Sequence, residues 1–294
     1  MRAFGVVVAS VLLACVGCKS RNTTPTGPGP IVDLDTRVTG LSGLTRDGKG
    51  MLWAAGEHAD AVLRMRADGT GIEEYEVVGA PPGADLEALA WLEGNRFLLG
   101  TETQEAGRAN DVLLEGVAAD GRFVVRPRAR LAYAAWGLSA PKNRGIEGLC
   151  HVEGSLVLAT ELVDEQEGRR WAPVAMLDLA DNTWSTYWVA LTSKTGKLAG
   201  LGCRKIEGEV VALAVERHFG VSRLLRFSLR KSEAGKRIEP EVAADLAKVM
   251  QPIPNFEGVV WDDDGSVILL TDNHYRGRAP DPSRLYFVPA SVLK

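Results

Sequence analysis

The sequence has little cysteine, little histidine and no excess of basic charge. Four of its 294 residues are cysteine and four are histidine, and 34 lysines and arginines are outnumbered by 38 aspartates and glutamates. A slightly acidic chain lacks the basic surface that nucleic-acid binding requires, so DNA and RNA are excluded as expected partners. No two histidines stand at metal-ligand spacing, which argues against a zinc site.

Common catalytic motifs and long apolar runs are also missing. No Gly-x-Ser-x-Gly elbow occurs, so a serine esterase would have no visible nucleophile, and no glycine-rich phosphate loop occurs either. After the amino-terminal segment, apolar runs are interrupted within about ten residues, short of the roughly 20 that a transmembrane helix needs. The composition, 46% hydrophobic and 24% charged, is typical of a globular protein.

The amino terminus has the pattern of a lipoprotein signal. Met1-Arg2 precedes a short apolar run, which is typical of a signal peptide and not of a membrane-spanning helix. The run ends in Leu12-Leu13-Ala14-Cys15, which resembles a bacterial lipobox. Residues 1–14 are therefore predicted to be the signal peptide and Cys15 the lipidated residue. Cys18 is the second candidate for lipidation, and a plain secretory peptide is the alternative.

A segment rich in proline, glycine and threonine follows the lipobox. Residues 15–30 are predicted to be the lipidated cysteine and a tether that buries nothing. Residues 31–294 are then a single domain, held by the lipid at the bacterial cell envelope, on its periplasmic or outer-surface face. Contact with the membrane is expected only through the anchor.

Five copies of one pattern, about 54 residues apart, organise the rest of the chain. Each copy begins with a short anchor, continues through a glycine-containing turn and an apolar strand, and ends that strand in an acid. A strand, a short glycine turn and a second strand form a β-hairpin. The anchors are Leu41–Leu44, Leu86–Leu89, Ile146–Leu149, Leu198–Leu201 and Phe256–Val259. The terminal acids are Glu57, Glu102, Glu161, Glu216 and Asp272.

Two further strands are predicted in each repeat. The first set is Ala61–Met65, Asp111–Val117, Pro173–Leu179, Arg223–Leu229 and Arg284–Val288. The second set is Ile72–Val78, Phe123–Ala132, Trp184–Leu191 and Ile238–Ala243. The fifth repeat ends before its fourth strand, which the segment Ile31–Asp35 can supply.

Four strands per repeat, with the amino terminus closing the last one, predict an all-β fold, a β-propeller of five blades. A sixth blade would have to lie in one of the longer intervals between anchors. The alternative all-β architecture is a β-sandwich. A sandwich does not explain why a similar tetrapeptide begins one strand of every repeat.

The anchors are predicted to converge on the central channel of the propeller. The side chains that would face it are Ser42, Glu87, Glu147, Ala199 and Glu257. Carboxylates at close range raise one another's pKa unless a cation binds, and all-oxygen ligation favours Ca²⁺ over Zn²⁺. Ser42, Glu87, Glu147 and Glu257 are therefore predicted to ligate Ca²⁺, with a gap at Ala199. Alternatively, these glutamates accept hydrogen bonds from backbone amides at strand ends and only hold the blades together.

Several short motifs carry a resemblance to a known family. Asn255–Gly265, Leu270–Asn273, Val215–Phe219 and Arg144–Leu149 resemble repeats of the phytase-like esterase family of β-propellers, over about Val38 to Pro289. The anchor order is also similar to the central calcium site of five-bladed calcium-activated nucleotidases, which have serine where this chain has Ala199. The nucleotide-binding residues of those enzymes have no counterpart here. The first resemblance implies a secreted propeller with phosphoester or ester hydrolysis.

The remaining polar residues are predicted to surround the same rim. A ring of acids holding a cation, with basic side chains around it, is what a phosphate monoester would need, because guanidinium groups bind phosphate oxygens in pairs. The predicted catalytic acids are Glu87, Glu147, Glu161, Glu216 and Asp272. The predicted substrate-binding residues are Arg144, Arg170, Arg217, His274 and Arg276.

A metal-held water beside Glu87 or Glu147 would attack the ester of a small phosphorylated molecule. Each basic residue taken alone is as well explained by local salt bridges on a solvated loop. The alternative function is a propeller that binds an envelope ligand or partner protein without catalysis, with Ca²⁺ only structural.

Two further cysteines, Cys150 and Cys203, lie in neighbouring repeats one residue out of register. Outside the cytoplasm they could pair. Alternation along a strand points them to opposite faces, however, which makes two buried free thiols an equally good interpretation.

Overall fold

Short glycine turns fold the chain into successive antiparallel hairpins. The computed structural model describes residues 29–58, 60–103, 105–272 and 282–293. These residues form 22 β-strands and four single-turn 3₁₀ helices, at Tyr133–Trp136, Lys231–Glu233, Leu246–Lys248 and Ala290–Val292. Within this described part, no helix is long and apolar enough to cross a membrane.

The strands of the described residues form four hydrogen-bonded sheets, the largest of which joins two antiparallel units through one parallel pair of edge strands. Five four-stranded antiparallel units can be traced in these sheets, and we number them blades 1 to 5 from the order of their innermost strands. Blade 1 contains β2 Leu41–Arg46, β3 Leu52–Gly56, β4 Ala61–Met65 and β5 Glu73–Val78. Blade 2 contains β6 Ala84–Glu93, β7 Arg96–Thr103, β8 Asn110–Ala119 and β9 Arg122–Ala132. Blade 3 contains β10 Ile146–Val152, β11 Ser155–Thr160, β13 Arg169–Asp178 and β14 Trp184–Ala190, with the short β12 Asp164–Gln166 beside β13.

Blades 4 and 5 complete the ring. Blade 4 contains β15 Lys197–Ile206, β16 Glu209–His218, β17 Val221–Leu229 and β19 Glu241–Asp245. Blade 5 contains β20 Phe256–Trp261, β21 Val267–Thr271, β22 Arg284–Val288 and, from the amino-terminal end of the described chain, β1 Ile31–Asp33. Because β1 pairs with β22, the first strand closes the last blade as predicted.

The innermost strands contact one another in the cyclic order β2, β6, β10, β15 and β20, and β20 contacts β2 again. Glycine at the anchors permits this close approach. A Cβ atom on Gly258 would lie 2.6 Å from the Cβ of Leu44, and one on Gly148 would lie 2.7 Å from the Cβ of Leu201. The apolar core lies between consecutive blades, in five clusters that each combine residues of two neighbouring blades. This arrangement confirms the predicted β-propeller.

The predicted strand Ile238–Ala243 is wrong in its bounds and its pairing. Arg237–Ile238 forms β18, which pairs in parallel with β14 of blade 3, whereas Glu241–Asp245 pairs with β17 of blade 4. Pro240 lies between the two segments and has no N–H group for a ladder hydrogen bond, so the strand is interrupted there.

The two cysteines of the domain form a disulfide that joins blades 3 and 4. The Cα atoms of Cys150 and Cys203 are 5.6 Å apart, and their sulfurs are bonded. The interpretation as free thiols is therefore wrong, because opposite strand faces do not keep two side chains apart when their strands lie in different blades. Blades stack face to face, so the front of one meets the back of the next. A side chain on the front face of a strand in one blade can therefore contact a side chain on the back face of the equivalent strand in the next blade.

Candidate functional site

The residues predicted to face the channel occupy a shared backbone irregularity. In blades 2 to 5, the second anchor residue is skipped in the pairing between the anchor strand and the next strand, which makes Glu87, Glu147, Ala199 and Glu257 the extra residues of β-bulges. A bulge redirects a side chain out of the normal alternation, and bulges are common next to functional sites. In blade 1 the skipped residue is Gly43, and the Ser42 hydroxyl donates a hydrogen bond to the backbone carbonyl of Glu87 at 2.8 Å.

Blade 2 contributes a compact group of three carboxylates. One oxygen from each of Asp85, Glu87 and Glu102 lies within 4.8 Å of the other two. Glu87 and Glu102 are buried, and Oε2 of Glu102 has no hydrogen-bond partner among the residues that the structure describes. A buried carboxylate oxygen without a partner is costly, and a hard cation would satisfy it with the oxygen ligands that such ions prefer. These three residues could therefore hold a metal ion.

Burial and neighbouring negative charges disfavour the ionised forms of Glu87 and Glu102 unless a cation is bound. Burial, followed by the negative charges of Glu147 and Asp85, raises the pKa of Glu102 to about 9. Burial and the carboxylates of Glu147, Glu57 and Glu102 raise the pKa of Glu87 well above its ordinary value. A side-chain hydrogen bond joins Glu102 to Glu147, whose own pKa is raised by burial and opposed by the charges of Arg217 and Lys197.

Blade 4 neutralises the opposite side of the channel. Arg217 donates from Nε to Oε2 of Glu257 at 2.9 Å, and Lys197 forms an ion pair with Glu161. Burial raises the pKa of Glu257 to about 7, against the lowering effect of Arg217. Burial and the charge of Arg217 lower the pKa of Lys197 to about 8. Cations of blade 4 therefore stand beside the gap at Ala199.

Three residues of this site were not among the predicted site residues. Glu57 ends the second strand of blade 1, and burial followed by Asp272 and Glu257 raises its pKa to about 8. Glu57 occupies the same repeat position as the other terminal acids, and this equivalence was enough to predict it as a site residue. Asp85 and Lys197 each stand two residues before a second anchor position, and alternate residues of a strand share a face. That spacing could have identified both.

The other predicted acids have partners of their own. Both oxygens of Glu216 accept hydrogen bonds from the Thr192–Ser193 segment, including the amide of Ser193 at 3.0 Å and its hydroxyl at 2.7 Å. The alternative interpretation described such an arrangement for the anchor glutamates, whereas here a terminal acid adopts it. Asp272 accepts a hydrogen bond from Nδ2 of Asn255 at 3.2 Å, and the same nitrogen is 2.9 Å from Oε1 of Glu257.

The predicted basic residues contact groups of the protein itself. Nε of Arg144 lies 3.9 Å from a carboxylate oxygen of Glu161, and Arg170 donates to the carbonyl of Gly196 at 2.6 Å. Arg217 is paired with Glu257, as described above. The predictions for His274, Arg276 and Cys15 lie outside the described residues.

A buried ion pair below the rim holds the neighbouring loops in place. Arg108 forms two hydrogen bonds with the carboxylate of Asp111, at 2.7 and 2.9 Å, and donates to the backbone carbonyls of Thr103 and Arg144. The carboxylate also accepts a hydrogen bond from the hydroxyl of Tyr133. Arg108 therefore positions the backbone that carries Arg144.

The metal-free protein is expected to become less stable as the pH rises from 5 to 8. The pKa values of Glu57 and Glu102 are about 8 and about 9 in the fold, against an ordinary value of 4.5. Their stabilising protonation is complete below pH 4.5 and is lost as the pH rises through the higher values. We expect the melting temperature in chelator to fall by roughly 5 to 10 °C over this range.

Thermal unfolding followed by circular dichroism checks this expectation. Glu57→Gln removes one of the carboxyl groups with a raised pKa and should flatten the slope. A melting temperature that rises from pH 5 to pH 8 in chelator would contradict it.

Known proteins similar to this chain share its architecture. The profile of a family described as phytase-like, with the esterase-like activity of phytase, matches residues 36–275. A luciferin-regenerating enzyme superposes with a TM-score of 0.51 at 14% identity, over 91% of this chain and 79% of the other. The PQQ-bound aldose sugar dehydrogenase of Streptomyces coelicolor gives 0.50 at 12% identity, over 89% and 99%.

A third structure shows the same fold. The major allergen Mala s 1 of Malassezia sympodialis superposes with a TM-score of 0.52 at 11% identity, over 90% of this chain and 97% of the other. A search of curated protein sequences gave no significant match. At these identities, the three structures support the fold and not a shared activity.

Proposed function

This chain belongs to the phytase-like family, and from that premise we propose that it is a cell-envelope phosphoester hydrolase that uses a divalent cation in its central channel. The observation that carries this proposal is the group of Asp85, Glu87 and Glu102, in which a buried oxygen of Glu102 has no hydrogen-bond partner within the described part of the chain. The donors are all oxygen, and three carboxylates match the charge and ligand type that Ca²⁺ prefers.

The proposed ligand set is asymmetric. Glu87, Asp85 and Glu102 all come from blade 2, whereas Glu257 is paired with Arg217 and the Ser42 hydroxyl is directed to a backbone carbonyl. Glu147 lies beside the group through its hydrogen bond to Glu102. When bound, the cation would supply positive charge that polarises a phosphoryl oxygen and makes a nearby water more acidic.

The protein's own side chains would supply binding and proton transfer. Glu147, in its ionised form, accepts a proton from the attacking water as the water oxygen bonds to phosphorus. The bond from phosphorus to the leaving-group oxygen breaks, and that oxygen receives the proton. Arg217 and Lys197, on the opposite side of the channel, attract the dianionic ester.

The envelope location is proposed from the lipobox at Cys15 and is supported by the Cys150–Cys203 disulfide. Disulfides persist in oxidising compartments and are rare in the cytosol.

A second candidate function is a binding propeller with a structural cation. It is favoured by the engagement of Arg170, Arg217 and Lys197 with protein groups, since a phosphate would have to compete with those partners. A measurement of cation-dependent turnover distinguishes the hydrolase from the binding propeller, because only the hydrolase would show it.

Hydrolysis by the purified full chain tests the proposal. Phytate, nucleotides and p-nitrophenyl phosphate are offered with Ca²⁺, after chelation, and after Ca²⁺ is restored. We expect activity that chelation abolishes and Ca²⁺ restores, and a fall of about 100-fold or more in Glu147→Gln because a general base is lost. Glu115→Gln is the matched control, since this buried blade 2 carboxylate is paired with Arg96 and Arg126 outside the channel site. Absence of Ca²⁺-dependent turnover on all three substrates contradicts hydrolysis and favours the binding propeller.

A further inference from the structure

A groove opens onto the channel between blades 4 and 5. We call it the blade 4–5 groove. Its volume is about 840 Å³, and at its inner end it is lined by Lys197, Arg217 and Asp272. Lys197 and Arg217 belong to the cationic side of the channel site, so the groove and the site are continuous. Small-molecule sites commonly have this size.

The outer part of the groove is unusually apolar for a surface. Five large apolar side chains are exposed in the part of the chain that the structure describes, and three of them, Ile31, Phe219 and Val249, line this groove. Phe219 is 76% exposed. Clustered apolar exposure of this kind marks a ligand or partner site, whereas single exposed residues are ordinary.

The local backbone presents Phe219 to the groove. It stands at the turn between β16 and β17, next to Gly220, whose φ of +76° allows the tight reversal. The ring of His218 packs against Phe219 edge to face at 4.9 Å. Burial and the charges of Lys197 and Arg217 lower the pKa of His218, which disfavours a positive charge beside Phe219.

The groove therefore has a cationic inner end and an apolar outer wall. We propose that it binds amphiphilic phosphate monoesters, with the phosphate toward Lys197 and Arg217 and an aryl or alkyl group against Phe219, Val249 and Ile31. This inference rests on the proposed function for the reaction, and it adds the substrate class: esters with an apolar leaving group bind better than small polar ones. A polar, multiply charged ester would leave the apolar wall without a contact.

Equilibrium binding to the full chain tests the inference without requiring turnover. The probes are 1-naphthyl phosphate and methyl phosphate, each titrated in Ca²⁺ with tryptophan fluorescence as the readout. We expect 1-naphthyl phosphate to bind at least about 10-fold more tightly, which is the scale expected for burying an aromatic group. In Phe219→Ser this ratio should fall to near 1, because the apolar wall loses its largest side chain.

Val124→Ser is the matched control. Val124 is 49% exposed, on β9 of blade 2, and does not line the groove. It should keep the wild-type ratio, and melting curves of both variants should match the wild type because both side chains are exposed. Equal affinity of the wild type for the two esters, or an unchanged ratio in Phe219→Ser, overturns the inference. Selective binding without turnover contradicts the proposed hydrolysis and leaves the groove supported, so the two failures are distinguishable.

Discussion

Glu102→Gln is expected to abolish the rise in thermal stability that Ca²⁺ causes in the wild-type protein. A ligand that binds only the folded state at 100 times its Kd adds about 2.7 kcal/mol of stability. For a domain of this size, that corresponds to a rise of roughly 5 to 10 °C in melting temperature. Glutamine keeps the shape of Glu102 but removes one of the three charges that would hold the ion, and cation affinity depends on ligand charge.

Differential scanning calorimetry with and without Ca²⁺ measures this effect, and isothermal titration gives the affinity. Without the ion, Glu102→Gln should be no less stable than the wild type near pH 7, because a pKa of about 9 already keeps Glu102 protonated there. Glu115→Gln, which leaves the three-carboxylate group intact, should retain the full Ca²⁺ effect. An undiminished shift in Glu102→Gln would show that the cation binds elsewhere, and the proposed ligand set would be abandoned.

Removal of the disulfide between blades 3 and 4 is expected to destabilise the protein by about 4 kcal/mol. Cys150 and Cys203 are separated by 53 residues, and cross-linking so long a loop restricts the unfolded chain considerably. The melting temperature of the double variant Cys150→Ala/Cys203→Ala should therefore be lower by roughly 8 to 15 °C. The cysteine side chains also pack in the cluster between these blades, so the loss includes some apolar contact.

Urea unfolding in the presence and absence of dithiothreitol isolates the contribution of the bond. Dithiothreitol should lower the stability of the wild type toward that of the double variant and should leave the variant unchanged. A wild-type protein whose unfolding midpoint is the same under both conditions would contradict a stabilising disulfide.

The repeat pattern alone was sufficient to predict the propeller. The five anchors recur at intervals of 45 to 60 residues, and four of them have glycine at the third position, where the second anchor has Ala88. Anchor residues of innermost strands then face one axis, so the repeats alone were enough to place Glu87, Glu147 and Glu257 near the channel. Most strands followed from the same pattern. However, β13 begins at Arg169 and not at the predicted Pro173, the short strand β12 was not predicted, and Pro240 interrupts the last strand of the second set.

The partners of each acid could not be predicted in this way. Glu102 and Glu161 occupy equivalent positions in neighbouring blades, yet Glu161 is paired with Lys197, whereas one buried oxygen of Glu102 has no hydrogen-bond partner in the described ranges. Which acid is neutralised depends on residues that face it from another blade. The residues that pair with the acids differ from one repeat to the next, so the repeat pattern does not predict them.

The sequence by itself determined the fold class and the repeated anchors, because local pattern and repetition are sufficient for those features. Only the tertiary structure decided the asymmetry of the channel, the disulfide and the blade 4–5 groove. Each depends on distances between side chains of different blades, and electrostatic and hydrogen-bonding energies change steeply over a few ångströms. Cys150 and Cys203 show this most directly, since opposite strand faces meet once blades stack face to face.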